Sequence, residues 1–332
     1  MKKLLLLSLV SVCLLHACKE SDQSYLESPN TKSSTTATSN GSWTRKADFK
    51  FSRSYSVGFS IGNKGYMGIG GNEEGTSFLD FWEYDPVSDS WTQKANFAGV
   101  DRTASVGFSI GNMGYIGIGY NGENRGTNLK DFWQYNPVTN CWTRKADFKG
   151  VARHSAVGLS IGSKGYIGTG LDSITDMRDF WEYNPETNSW VQKADFPGRA
   201  RSRATGFTIG NKGYLGTGYS AGLGTNEDHK DFWEYNPDTD SWEKKADFGG
   251  FERQDATSFS IDGFGYIGTG YGNSGKFLKD LWEYNPLSDS WVQKSDLPGE
   301  PRLAATGLSI GTKGYIGFGT DNNKDFWQFS RD

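Results

Sequence analysis

One unit recurs six times along this chain, at a period close to 50 residues. Trp43, Trp91, Trp142, Trp190, Trp242 and Trp291 are spaced by 48, 51, 48, 52 and 49 residues. Gly-Tyr-x-Gly-x-Gly starts at Gly65, Gly114, Gly165, Gly213, Gly265 and Gly314. Asp-Phe-Trp follows each motif, from Asp80, Asp131, Asp179, Asp231 and Asp325, with Asp-Leu-Trp from Asp280. Such a period belongs to stacked units that bury their apolar faces against one another. An aromatic content of 15% excludes disorder for most of the length.

Each unit reads as four strands. Ser56 to Ile61 alternates small and apolar residues, the period of a β-strand, and serves as strand a. Gly65 to Gly70 is expected as strand b, its glycines making room for a neighbouring unit. Phe81-Trp82-Glu83-Tyr84 is strand c and Trp91-Thr92-Gln93-Lys94 strand d. Gly62 to Gly65 joins a to b as a hairpin turn. Asp85-Pro86 and Ser88-Asp89-Ser90 supply turn residues between c and d. The repeated part begins with a lone strand d, Trp43 to Lys46, and ends with a lone strand c, Phe326 to Phe329. Placing both orphans in one unit pairs both edges and closes a ring.

These motifs resemble kelch repeats. The Trp82-Glu83-Tyr84 to Trp91 spacing matches the family, while its di-glycine is replaced by Gly-x-Gly, as in Gly68-Ile69-Gly70. At that place paired glycines occur in the first repeat alone, as Gly70-Gly71. The expected fold is therefore all-β: a six-bladed kelch β-propeller over residues 43–332. It has four antiparallel strands per blade, and the N-terminal strand closes the last one.

The first 42 residues have a different character. Lys2 and Lys3 precede an apolar run from Leu4 to Leu15, too short for a stable transmembrane span. Leu15-His16-Ala17-Cys18 resembles a bacterial lipobox. The resemblance implies a signal peptide at 1–17 and a lipid on Cys18. Lys19 follows in place of an inner-membrane retention Asp, so an outer-membrane lipoprotein is expected, facing the periplasm or the cell surface. Glu20 and Asp22 resemble surface-export signals of Bacteroidetes lipoproteins. Residues 18–42 are rich in Ser and Thr and read as a flexible tether. Cys141 is then left without a disulfide partner.

Loop lengths point to one face. The c–d connections hold the Tyr-to-Trp separation at 7 in the five repeats from Tyr84, Tyr135, Tyr183, Tyr235 and Tyr284. The b–c loops vary, holding 9, 11, 8, 12, 9 and 5 residues. Scaffolds vary the loops that recognise something, so the b–c and d–a side is the expected functional face. An arginine precedes strand a in every repeat: Arg53, Arg102, Arg153, Arg201, Arg253 and Arg302. As a ring around the channel mouth they would bind an anion; paired with the six Asp of strand c they would be structural. Just after them the repeat breaks down. Tyr55, Ala104, Ser155, Arg203, Asp255 and Ala304 stand two residues on. Ser54, Thr103, His154, Ser202, Gln254 and Leu303 stand one residue on. The candidate ligand-binding residues are His154, Arg203, Gln254, Asp255 and Tyr55.

Other chemistry finds no motif. A net charge of −4 argues against phosphate neutralisation, hence against nucleic acid. His154, His229 and Cys141 do not make a copper or zinc set, and Asp172 to Asp176 lacks the EF-hand pattern and reads as a solvated loop. No metal, cofactor or catalytic residue is assigned. The expectation is a monomeric, non-catalytic scaffold that meets the membrane through its lipid alone and holds a protein or glycan, including anionic ones. The alternative is a sialic-acid mutarotase resembling the N-acetylneuraminate epimerase family, where Arg203 and Asp255 would supply carboxylate binding and acid–base chemistry.

Overall fold

Alternation of small and large residues in strand a produces a two-faced ribbon, and this ribbon organises everything else. In Val57–Ile61 the side chains of Val57, Phe59 and Ile61 are buried while Gly58 and Ser60 are half-buried. The computed structural model describes residues 40–331 except 123–125, 222–225 and 321–322. The proposed signal peptide, Cys18 and the tether through residue 39 lie outside them.

The described residues form no helix; they form six four-stranded antiparallel sheets and two small accessory sheets. The first sheet runs Val57–Ile61, Lys64–Gly68, Phe81–Asp85, Ser90–Gln93 in chain order. The second holds Val106–Ile110, Met113–Asn121, Thr127–Asn136 and Cys141–Lys145. The third holds Val157–Ile161, Lys164–Gly168, Phe180–Asn184 and Ser189–Lys193. The fourth holds Thr205–Ile209, Lys212–Gly216, Phe232–Asn236 and Ser241–Lys245. The fifth holds Thr257–Ile261, Phe264–Gly268, Leu281–Asn285 and Ser290–Lys294. In the sixth, Thr306–Ile310, Lys313–Gly317 and Phe326–Ser330 take Ser42–Lys46 as their fourth strand, with Trp43 opposite Phe329. The a strands pack one against the next, and the strand at Thr306–Ile310 packs back on Val57–Ile61.

Glycine at the head of strand b makes this packing possible. A Cβ at Gly114 would meet the Phe59 ring at 2.3 Å, and one at Gly265 would meet Phe207 at 2.0 Å. The large side chain of one sheet thus fills the space left by glycine on the next. At the outer edge the strand-d Trp side chains tie sheets together. Trp91 Nε1 donates to the Ala47 carbonyl (2.9 Å), and Trp43 Nε1 donates to the Ser295 carbonyl (2.9 Å) across the chain ends. The c–d turns depend on Asx residues. Asp89, Asn140, Asn188, Asp240 and Asp289 lie at φ of +46 to +53°. Each accepts, on Oδ1, the amide of an alanine that follows strand d of the preceding sheet, such as Ala47 on Asp89 at 2.9 Å.

Strand b is shorter than Gly65 to Gly70. It ends at Gly68 because Ile69 (φ +50°) and Gly70 (φ +85°) turn left-handed. The same break recurs at Ile118, Thr169, Thr217, Thr269 and Phe318, although in the second sheet pairing resumes beyond it. The left-handed region strains β-branched residues, by about 1–3 kcal/mol each. In all six repeats the arginine Nη1 donates to the carbonyl of this residue, and in four of them its amide also donates to the strand-c Asp carbonyl. In the first sheet the Ile69 amide donates to the Asp80 carbonyl (3.0 Å) and its carbonyl accepts from Arg53 Nη1 (3.1 Å). The following glycine amide then bonds the arginine carbonyl of the next repeat, from Gly70 to Arg102 (3.1 Å) round to Gly319 to Arg53 (2.9 Å).

Candidate functional site

The six repeated arginines do not surround the channel mouth. Each is at most 1% exposed and turned inward between strands b and c. Nη1 and Nη2 form a fork on the strand-c Asp, with Nη2 to Oδ2 distances of 2.7–2.9 Å. That Oδ2 also accepts the indole N–H two residues on, as Trp133 Nε1 on Asp131 at 2.7 Å. Five of the guanidiniums lie over a Phe ring, such as Arg102 on Phe97 at 4.9 Å. Burial penalises the carboxylate charge, yet the arginine hydrogen bonds and charge hold Asp131, Asp179, Asp231 and Asp325 below the usual carboxylate value. An anion in the channel therefore meets no exposed guanidinium from Arg53, Arg102, Arg153, Arg201, Arg253 or Arg302.

The mouth itself is a ring of backbone. Tyr55, Ala104, Ser155, Arg203, Asp255 and Ala304 all lie at φ of +51 to +56°. Each amide donates to the carbonyl of the same position in the preceding repeat, at 2.9–3.2 Å, and Tyr55 closes the circuit on Ala304. None of the six is glycine, so the tertiary ring imposes a conformation that local preference disfavours. The closed circuit fixes the position of six side chains around a small depression. Their cavity is about 120 Å³, room for a few waters or one functional group of a ligand rather than a whole molecule. Below it, a cavity of about 240 Å³ continues between the a strands, lined by Ser, Thr, Gly, Ala and Val.

Four of the five candidate residues converge here. The Tyr55 hydroxyl donates to Asp255 Oδ2 (3.3 Å) across the mouth. Arg203 Nη1 donates to Gln254 Oε1 (2.7 Å) and stands 3.8 Å from Asp255 Oδ2. Among the described residues no other guanidinium nitrogen of Arg203 has a protein hydrogen-bond partner, and its side chain is 40% exposed. The Asp255 side chain is only 7% exposed. Burial pushes its carboxyl up to about 6, against the opposing pull of Arg203 and the Tyr55 hydroxyl. Burial beside Asp255 likewise raises the Tyr55 phenol. His154 stands apart. Its Nδ1 lies 2.9 Å from Asn128 Oδ1 and its ring packs on Tyr120 at 5.4 Å, while burial and the Arg203 charge hold it below its ordinary value.

Two acidic residues complete the surroundings. Asp176 is 8% exposed, so it is not part of a solvated loop. Its Oδ2 accepts the Ala221 amide (2.6 Å), while its Oδ1 is buried without a partner. Asp228 sits on a short hairpin pairing Tyr219–Ser220 with Glu227–Asp228, and its Oδ1 is also buried without a partner. Burial raises both carboxyls, and the Arg203 charge acts on both. The sequence carried a signal for them in the b–c loop lengths, but nothing in the loops distinguished buried acids from exposed ones. Cys141 lies exposed at the start of strand d, just after the c–d turn, and no group of three or more His, Cys, Asp or Glu among the described residues could hold a metal ion.

Comparison with known proteins agrees with this architecture. The Kelch motif family matches residues 119–149, from the end of the second Gly-x-Gly through strand d. The solved structure of YjhT is similar, with a TM-score of 0.72 at 15% sequence identity, over 86% of this chain and 95% of that one. At that identity the likeness is one of fold. No curated protein matches the chain.

Proposed function

On the scaffold of a kelch-repeat β-propeller, we propose a six-bladed, non-catalytic binding module that holds a protein or glycan ligand at the b–c and d–a face. One observation carries the reading. The arginine that every repeat shares is buried and paired, whereas the position two residues on, where the repeats differ, lines one open mouth with a half-exposed guanidinium. Arg203 would take a carboxylate of the ligand through its outward edge. Tyr55 and Gln254 would take hydroxyl or amide groups around it. The small mouth suits one anchoring group of a larger ligand. A glycan and acidic-peptide array probed with wild type and Arg203→Ala tests this: binding should fall at least about tenfold in the variant. An array signal unaffected by Arg203→Ala removes the mouth from the account.

A second reading has its own support. A carboxyl at about 6, hydrogen-bonded to a tyrosine and beside an arginine, is suited to proton transfer near neutral pH. A sialic-acid mutarotase uses such groups. Anomer exchange followed by NMR separates the two: acceleration by wild type and its loss in Asp255→Asn favours catalysis.

In the same proposal residues 1–17 are a signal peptide and Cys18 carries lipid. Residues 18–42 tether a monomeric propeller to the outer membrane, without nucleic acid or cofactor. Wild type should partition with membranes and Cys18→Ser should not.

A further inference from the structure

We infer that the first and fifth repeats each carry a groove on the outer part of the loop face that binds a neutral hexopyranose unit of a glycan. The two grooves are separate from the mouth, with volumes of about 610 and 650 Å³, a size that accommodates small ligands.

Their linings correspond position by position. Trp82 and Trp282 form part of each wall, half-buried, each indole fixed by an N–H bond to Asp80 Oδ2 (2.7 Å) or Asp280 Oδ2 (2.8 Å). Phe51 and Phe251 stand on the d–a loops, 41% and 68% exposed. Phe51 is parallel to Phe78 at 6.5 Å, with the Lys50 ammonium over its ring. Gln93 and Gln293 are the cross-strand neighbours of the two indoles. Gln93 Nε2 donates to Asn96 (3.3 Å) and Gln293 Nε2 to Asp296 (3.5 Å).

Two independent departures from the repeat coincide in these grooves. On the d–a loop the other repeats carry Val100, Val151, Arg199 and Glu300, so an aromatic stands there in the first and fifth alone. Beside the indole, the second, fourth and sixth repeats carry a cation. Arg144 faces Trp133, Lys244 faces Trp233 and Arg45 faces Trp327. Each cation is held by an acid three residues on, Asp147, Asp247 or Asp48, and Arg45 lies over the Trp327 ring at 5.7 Å. The third repeat has Gln192 opposite Trp181, but there Arg178 reaches Asp195 (3.7 Å). In the first and fifth repeats an amide replaces the cation and an aromatic is added.

This combination selects a ligand with an apolar face and a hydroxyl rim. The C–H face of a pyranose packs against aromatic surface, and amide and carboxylate side chains exchange hydrogen bonds with ring hydroxyls. The charges around each groove balance. Asp80 and Asp280 are neutralised from behind by Arg53 and Arg253; of the remaining charges, Lys50 is matched by Asp101 in one groove, and Lys230 and Lys279 by Glu252 and Asp296 in the other, with Lys230 3.2 Å from Glu252. A charged sugar gains no net attraction from such a rim, so a neutral one is the better fit.

The test titrates the full-length protein with cellohexaose, mannohexaose and maltohexaose, following heat and tryptophan fluorescence. At least one should bind with two sites per chain. Gln93→Arg should halve the stoichiometry. Gln93→Arg with Gln293→Arg, which copies the residue beside Trp133, should weaken binding more than about tenfold with an unchanged melting temperature. Phe51→Ser with Phe251→Ser should give the same loss should the arginines perturb folding. Arg203→Ala should leave it intact, which separates failure here from failure of the mouth reading. No binding tighter than roughly 10 mM by any of the three sugars overturns the inference. So does binding that survives both double variants, or tighter binding of a proline-rich peptide in the same grooves.

Discussion

Arg201, one of the six arginines that the repeats share, and Arg203, at a position the repeats do not share, lie two residues apart in sequence, yet their surroundings are opposite. Arg201 is 1% exposed and its guanidinium is held by Asp231, the Thr217 carbonyl and the Arg199 carbonyl. Arg203 is 40% exposed and holds one neighbour, Gln254, at hydrogen-bond distance. The first set clamps strained backbone at the end of strand b, a task present in every repeat. The second stands on a ring whose geometry is fixed by backbone alone, so its side chains are released from structural duty. In a repeat protein, what recurs serves the interface between units, and what departs is available for recognition.

The largest test of this contrast removes a shared clamp. Arg102→Ala leaves the largely buried Asp131 without its counter-charge and Ile118 without the bond that holds its carbonyl. The expected cost is about 3–5 kcal/mol, read by denaturant or thermal unfolding. A loss under 1 kcal/mol would break the comparison from the structural side.

A smaller effect is expected at the mouth, where it depends on pH. Asp255 has a folded value of about 6 against an ordinary 3.8. Below 3.8 it is protonated in both states and costs nothing. Between 3.8 and 6 the unfolded chain ionises while the folded one keeps its proton, so stability declines as pH rises, and above 6 the penalty is complete. The two-unit difference corresponds to about 3 kcal/mol at most. Asp255→Asn should match wild type near pH 3.5 and exceed it above pH 6.5 by up to that amount, less the Tyr55 hydrogen bond. The arginine-paired Asp131, Asp179, Asp231 and Asp325 act oppositely, stabilising at neutral pH and losing that contribution as acid protonates them, in wild type and variant alike. Equal pH profiles for the two proteins would remove the strained carboxyl from the account.

Gly265→Ala sharpens the comparison within the scaffold. Its new Cβ would fall 2.0 Å from the Phe207 ring, and the expected overpacking cost is about 1–3 kcal/mol without any change in ligand binding. Gly62→Ala, at an open turn with nothing within 4 Å of the new Cβ, should cost less, through its φ of +59° alone.

Strand order, the hairpin turns and the partner of the first strand were legible because they depend on local pattern and on counting. Strand d at Trp43 and strand c at Phe326 each lacked a neighbour, and Ser42–Lys46 pairs with Phe326–Ser330. The left-handed residues were not legible. Ile69, Thr169, Tyr55 and Arg203 carry no local preference for that conformation; long-range hydrogen bonds impose it. For the same reason the end of strand b was placed two residues late. Tyr55, Arg203, Gln254 and Asp255 stand out in the sequence because they interrupt a repeat, and the structure brings them close together. Asp176 and Asp228 were not, since loops of unequal length offer no register against which an interruption shows. His154 interrupts the repeat too, yet its nearest partners are Tyr120 and Asn128 rather than the mouth residues.

The most direct measurement pairs stability with binding in Arg203→Ala. Its melting curve should overlay wild type, with a change within about 0.5 kcal/mol, because the side chain is exposed and no repeat-wide bond depends on it. Its array signal should fall at least about tenfold. Destabilisation comparable to Arg102→Ala with ligand binding untouched would contradict the division between shared clamp and unshared site.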